Sequence, residues 1–138
     1  MKIKKGLFSI LLLWFILILT SCGSPLDTTI DEINQRYLDQ NPMVESDVLT
    51  RFKSPINVRR TSETTHISLW VPNYDTLDEV KQDIENGKEV VGVFVYFEET
   101  TRKFQRLNEE TLEMEWYEKV VIDAVHAEKK AVSLKDLK

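Results

Sequence analysis

The first apolar block is the densest: Leu7 to Leu19 is hydrophobic except for Ser9, and Lys2, Lys4 and Lys5 precede it. After it the pattern breaks into shorter periods. Leu26, Ile30, Ile33 and Tyr37 recur at helical spacing, Thr28 and Asp31 stand as a capping pair, and Pro42 closes the pattern, which predicts a helix over Asp27–Asp39. Val44, Val48 and Phe52 repeat every four residues between Pro42 and Pro55, enough for a short helix within Val44–Lys53. From Ile56 to Val71 the period falls to two. Ile67, Leu69 and Val71 point one way and His66, Ser68 and Trp70 the other, with Thr61-Ser62-Glu63 as the turn of a hairpin. Thr76 and Glu79 then match a capping box, and the stripe Leu77, Val80, Ile84 ends at Asn86-Gly87, a second short helix.

Glu89–Phe97 is apolar on both faces, as a central strand covered on both sides would be. Within it Gly92 marks a bulge or a close backbone approach. Polar Glu98–Thr101 reads as a turn into Arg102–Leu107, a second hairpin. The last third supports two patterns. Leu112, Met114 and Trp116 alternate with Glu113 and Glu115 as in a strand. Yet Trp116, Val120, Ala124, Ala127, Ala131 and Leu134 follow a helical face, with Asn108 as a cap and Lys129 and Lys130 near the end. The helix, starting near Glu110, is the favoured expectation over a strand followed by a shorter helix. These elements predict an α+β fold: an N-terminal helix packed on a curved antiparallel sheet of about four strands, with an inserted short helix and a C-terminal helix.

The N-terminal block has signal-peptide anatomy and is too short for a confident span, which needs about 20 apolar residues. It ends in Leu19-Thr20-Ser21-Cys22, where the chain's only cysteine follows two small residues. This resembles the lipobox of bacterial lipoprotein precursors. The resemblance implies a signal peptide over 1–21, acylation of the Cys22 sulfur, a lipidated tether over 22–26 and one domain over 27–138. It also implies anchorage on the extracytoplasmic side of the cell membrane, where several acyl chains hold firmly and one would not.

Cleavage would take 21 of the 138 residues and leave 117, the size of one domain. All 23 acidic residues stay and 3 of the 18 basic ones go, which moves the formal charge from −5 to −8. That balance argues against nucleic acid and against adsorption to anionic lipid. With no other cysteine, there is no internal disulfide and no thiolate metal site. His66 and His126 lack metalloprotease spacing, and His126-Ala127-Glu128 lacks the paired cysteines of a zinc deaminase. No nucleophile elbow, phosphate loop or dinucleotide fingerprint occurs. Glu98-Glu99, Glu109-Glu110 and Glu113, Glu115 and Glu118 could serve a glycosidase or calcium site, but each lies where solvated acidic residues are expected. No catalytic residue, metal or cofactor is therefore assigned.

Candidate partner contacts are Trp70, Tyr74, Arg102, Lys103, Arg106 and Trp116. The aromatic ones are types that dominate binding hot spots, and Trp70 lies opposite Ile67, Leu69 and Val71. The basic ones, with Arg59 and Arg60, would form a local positive patch if the two hairpins are neighbours. Cys22-Gly23, then Ile30–Ile33, Ile67–Val71, Val93–Phe97 and Lys103–Leu107 together resemble the small cystatin-like-fold lipoproteins of Gram-positive bacteria and their conjugative elements. The helix at Thr76–Asn86 and the segment after Asn108 depart from that pattern. The resemblance implies a non-enzymatic, surface-tethered protein that binds another protein, as in exclusion or immunity. Two other classes remain open. One is a ligand-binding or enzymatic domain using the concave sheet face, lined by Tyr96, Phe94, Trp70 and His66. The other is an envelope-assembly lipoprotein docking through its C-terminal helix.

Overall fold

The computed structural model describes residues 25–138. Residues 1–21, expected to be a signal peptide, and Cys22 lie outside the described residues. Helix α1 (Pro25–Leu38) leads through Met43 to α2 (Glu45–Phe52). Strands β1 (Asn57–Arg60) and β2 (Thr65–Trp70) follow, then α3 (Leu77–Glu85), β3 (Val91–Leu107), β4 (Met114–Ala131) and a closing 3-10 turn, Leu134–Leu137. The four strands form one antiparallel sheet in the order β1-β2-β3-β4.

Helices cover both faces of the sheet's lower half. On one face, Ile30 and Ile33 of α1, Met43 of the connection and Val48 of α2 pack on Trp70, Val93, Val95, Phe97, Ala124 and Ala127. On the other, Val80 of α3 and Leu137 pack on Leu69, Val71, Val90, Phe94 and Val132. The two-sided apolar pattern of Val91–Phe97 has this cause. The alternation expected along β2 holds, with Leu69 in one cluster and Trp70 in the other. Thr76 caps α3 by accepting the Glu79 N–H at 3.3 Å, and Gly87 (φ +81°) follows its end. Gly92 marks a close approach: a Cβ there would stand 2.7 Å from Leu69 Cδ1 and 2.9 Å from Val132 Cγ2.

Two expectations are corrected. Glu98–Thr101 is no turn, since β3 runs through it without interruption and the hairpin turn lies at 108–113. Thr100 and Thr101 are good strand formers, and the polarity that suggested a loop reflects a segment that no helix covers. The predicted C-terminal helix is likewise absent: from Met114 the chain is an 18-residue strand. A bulge explains the misleading period. Phe97 pairs with Ala124 and Tyr96 with His126, which leaves Val125 as the extra residue. The bulge puts Ala124 and Ala127 on the same face three positions apart, a helical spacing made by a strand. The run Val120-Val121-Ile122 supplies the β-branched preference that decides the state.

The outer edge of β4 is capped only along its lower part. The Ala124 N–H donates to the Met43 carbonyl at 2.7 Å, and Val44 bridges to Asp123. Asn34 of α1 then acts as a surrogate strand, accepting the Ala127 N–H and donating to its carbonyl, both at 2.8 Å. β2 stops pairing with β3 at Glu98. Beyond that level β3 and β4 continue alone, in register from Glu98/Asp123 to Leu107/Met114, as a two-stranded ribbon about 30 Å long.

Candidate interaction ribbon

A lone two-stranded ribbon is marginal in water, so its persistence depends on side-chain pairs across it. One face supplies them. Asp123 is buried at the foot of the ribbon, where its Oδ2 accepts from Thr100 Oγ1 at 3.3 Å and pairs with Arg102. Its Oδ1 is buried with no hydrogen-bond partner, which makes the Arg102 charge the main compensation for this carboxylate. Further up, Phe104 and Tyr117 stack at 5.7 Å, Arg106 lies over the Tyr117 ring at 5.1 Å, and Arg106 Nε meets Glu115 Oε1 at 2.8 Å. Hydrogen bonds from Arg106 and Asn108 hold the Glu115 carboxyl below its ordinary range, so it stays anionic at neutral pH.

The opposite face carries none of these pairings. By alternation it holds Thr101, Lys103, Gln105 and Leu107 of β3 and Met114, Trp116, Glu118 and Val120 of β4. Trp116 is 66 % exposed, Val120 60 % and Met114 57 %, with Leu107 beside them equally open. Lys103 on this face, like Lys119 on the other, has no acidic partner within ion-pair distance among the described residues. An exposed apolar row on an unprotected edge strand is the feature that monomeric proteins normally suppress.

The six candidate contacts separate accordingly. Lys103, Arg106 and Trp116 lie on the ribbon, exposed. Arg102 lies there too, but it is committed to Asp123. Trp70 is corrected: it is 6 % exposed, lies against the Phe52 ring at 5.2 Å in a tilted arrangement and donates from Nε1 to the Lys53 carbonyl at 3.0 Å. The face opposite Ile67 and Leu69 is covered by α1 and α2, so pointing away from one helix layer means pointing into another. Tyr74 is half-buried against α3, its hydroxyl donating to Asp83 Oδ2 at 2.5 Å. The basic residues do not merge into one patch, because β2 separates β1 from β3 and Arg60 turns to Glu63 and Glu99. Met114, Val120 and Leu107, exposed on the same face as Trp116, are not among the sequence candidates; for Met114 the alternation of Met114 and Trp116 with glutamates was a signal.

Two other regions have chemical character. A groove of about 740 Å³ beside the start of α1 is lined by Leu26, Phe52, Lys53, Pro55, Trp70 and Tyr74. The proposed concave lining of Tyr96, Phe94, Trp70 and His66 is not one surface, because Trp70 and His66 lie on the α1 side and Phe94 and Tyr96 on the α3 side. His66 is buried against Phe97 with Nε2 2.6 Å from Glu45 Oε2. Among the described residues no three His, Cys, Asp or Glu side chains gather as metal ligands.

On the α3 side, Glu128 Oε1 accepts from Tyr96 Oη at 2.7 Å and meets Lys130 Nζ at 2.8 Å. Hydrogen bonds from Lys130, then from Tyr96, lower its pKa from 4.5 to about 2, while burial raises that of the tyrosine. A carboxylate depressed in the folded state stabilises fully above its unfolded value and loses that effect as pH falls through its folded one. Solvent screens this partly exposed group, so Glu128→Gln is expected to cost about 1 kcal/mol at pH 7. The deficit should shrink between about pH 4.5 and pH 2 and be gone below, as read by urea unfolding across that range.

Comparison with protein-family models, with curated proteins and with solved structures finds no match for this chain.

Proposed function

We propose that this chain is a lipid-anchored extracytoplasmic protein whose ribbon is a non-enzymatic docking surface for another protein, as in exclusion or immunity. The observation that carries the reading is the asymmetry of the ribbon: one face knitted by ion pairs and stacked rings, the other presenting Trp116, Met114 and Val120 to solvent. Position supports it. Cys22 precedes the first described residue by only three positions, and α1 begins beside the foot of β4, where Asp27 pairs with Lys129 at 3.6 Å. Fifteen strand steps separate Lys129 from Met114, about 50 Å. An anchor at Cys22 therefore leaves the ribbon tip as the part farthest from the bilayer. An N-terminal helix on a sheet in sequential strand order is in keeping with the cystatin-like resemblance, and α3 on the second face is an addition to it.

The test is crosslinking on intact cells followed by recovery of the tagged, full-length chain. Wild type should be found in the membrane fraction with one dominant partner. Cys22→Ala should leave the membrane, and Trp116→Ala should stay there but lose the partner by tenfold or more. A partner retained by Trp116→Ala at wild-type yield overturns the ribbon as the docking surface.

A ligand in the groove beside α1 is a second reading, favoured by the apolar lining of Phe52, Pro55 and Trp70 around the Lys53 backbone. Docking through a C-terminal helix falls away, because that segment is β4.

A further inference from the structure

We propose that the occupant of the ribbon's open edge is the β4 edge of a second copy of this chain, anchored in an apposed membrane. The inference rests on the ribbon being a docking surface and goes further by naming its partner.

The backbone fixes which groups are available. The Ala124 N–H points away from β3, toward Met43. Pairing with β3 is regular from Asp123 to Met114, so alternation turns the N–H and C=O groups of Ile122, Val120, Glu118, Trp116 and Met114 outward as well. Ile122 adjoins the segment closed by Met43 and Val44, whereas 114–120 is open. A strand of seven residues with free main-chain groups is a template for strand addition.

The side chains select a copy of the same strand. Two β4 edges paired antiparallel about a two-fold axis at Tyr117 set Met114 against Val120 and Glu115 against Lys119, each pair occurring twice. Met114/Val120 and Trp116/Glu118 become the hydrogen-bonded pairs, matching the groups that point outward, and Tyr117 meets its equivalent at the axis. Neighbouring registers lose this fit. Centring on Glu118 or on Lys119 opposes like charges, and centring on Trp116 sets Glu115 against Tyr117 and so gives up both Glu115/Lys119 pairs. On the open edge of β3, a two-fold at Phe104 would set Arg102 against Arg106. Opposite charges and apolar pairs directly across a ladder favour a register, and like charges disfavour it. The interface is isologous and closes at two copies.

Antiparallel pairing places the two chain bodies at opposite ends of the joined ribbons. Twelve strand steps separate Tyr117 from Lys129 in each copy, so the two anchor ends stand about 80 Å apart and face opposite directions. Such a pair spans two bilayers.

Phosphatidylcholine vesicles carrying the full-length acylated chain test this by light scattering, with sedimentation of the same chain in detergent micelles reading the pairing without a bilayer. Wild-type vesicles should cluster and the micellar chain should be dimeric. Lys119→Glu and Glu115→Lys should each reduce clustering at least tenfold and sediment as monomers. Mixing the two variants restores both opposite-charge pairs, so the mixture should cluster and dimerise, which also shows that both variants are folded. Monomeric wild type, Lys119→Glu that pairs as well as wild type, or a mixture that stays apart overturns the proposal. Monomeric wild type alongside a cellular partner lost in Trp116→Ala leaves the docking surface standing and removes only self-pairing. Dimers in micelles from a chain that does not float with vesicles would overturn the membrane-bridging part alone.

Discussion

Trp70→Ala is expected to lower the unfolding free energy by about 4 kcal/mol, the range for truncating a large buried aromatic in a well-packed core. The side chain joins Ile30, Ile33, Met43, Val48 and Val93 in the cluster between α1, α2 and the sheet. It also packs at a tilt against the Phe52 ring and donates its indole N–H to the Lys53 carbonyl. Its loss would open a cavity and leave that carbonyl without its indole donor at a residue held at φ +64°. Trp116→Ala, by contrast, should change stability by less than about 0.5 kcal/mol, because little of that side chain is buried. Urea unfolding of the two variants distinguishes a core tryptophan from a surface one, and equal effects would contradict the assignment.

Arg102→Ala is expected to cost about 3 kcal/mol, since it leaves Asp123 buried with an unpaired charge and one oxygen already without a partner. The double variant Arg102→Ala/Asp123→Ala should recover a large part of that loss, because the charge is removed along with its partner. Hydrogen exchange should speed up across 100–121 in the single variant and less so in the double. A cost below 1 kcal/mol for Arg102→Ala would mean that the pair does not hold the foot of the ribbon.

Local signals in the sequence were sufficient wherever one periodicity governed a segment. The Thr76 cap and the first hairpin were legible because cap, turn residues and alternation agreed within each; α1 was legible from its apolar period alone, since it begins at Pro25 and holds Thr28 and Asp31 inside it rather than at a cap. β4 was not, because a single bulged residue at Val125 converts a period of two into the spacing Ala124, Ala127. The polar half of β3 was missed for a related reason: Glu98 to Thr101 pack against no helix, and a strand with no buried face carries no alternation to read. Trp70 was misassigned because alternation tells which residues share a face and not whether that face is covered. On the ribbon, Lys103, Arg106 and Trp116 are candidates by residue type, and the structure leaves them exposed there. Arg102 was grouped with them because its partner, Asp123, lies 21 positions away and becomes adjacent only when β4 is a strand.

The most direct measurement places a photocrosslinking residue at Trp116 on the exposed face of the ribbon and, separately, at Glu85 near the opposite end of the molecule, in the full-length chain on intact cells. A crosslinked protein adduct formed from position 116 and absent from position 85 is the result expected if the ribbon is the docking surface. An adduct formed from position 85 with none from position 116 would contradict it.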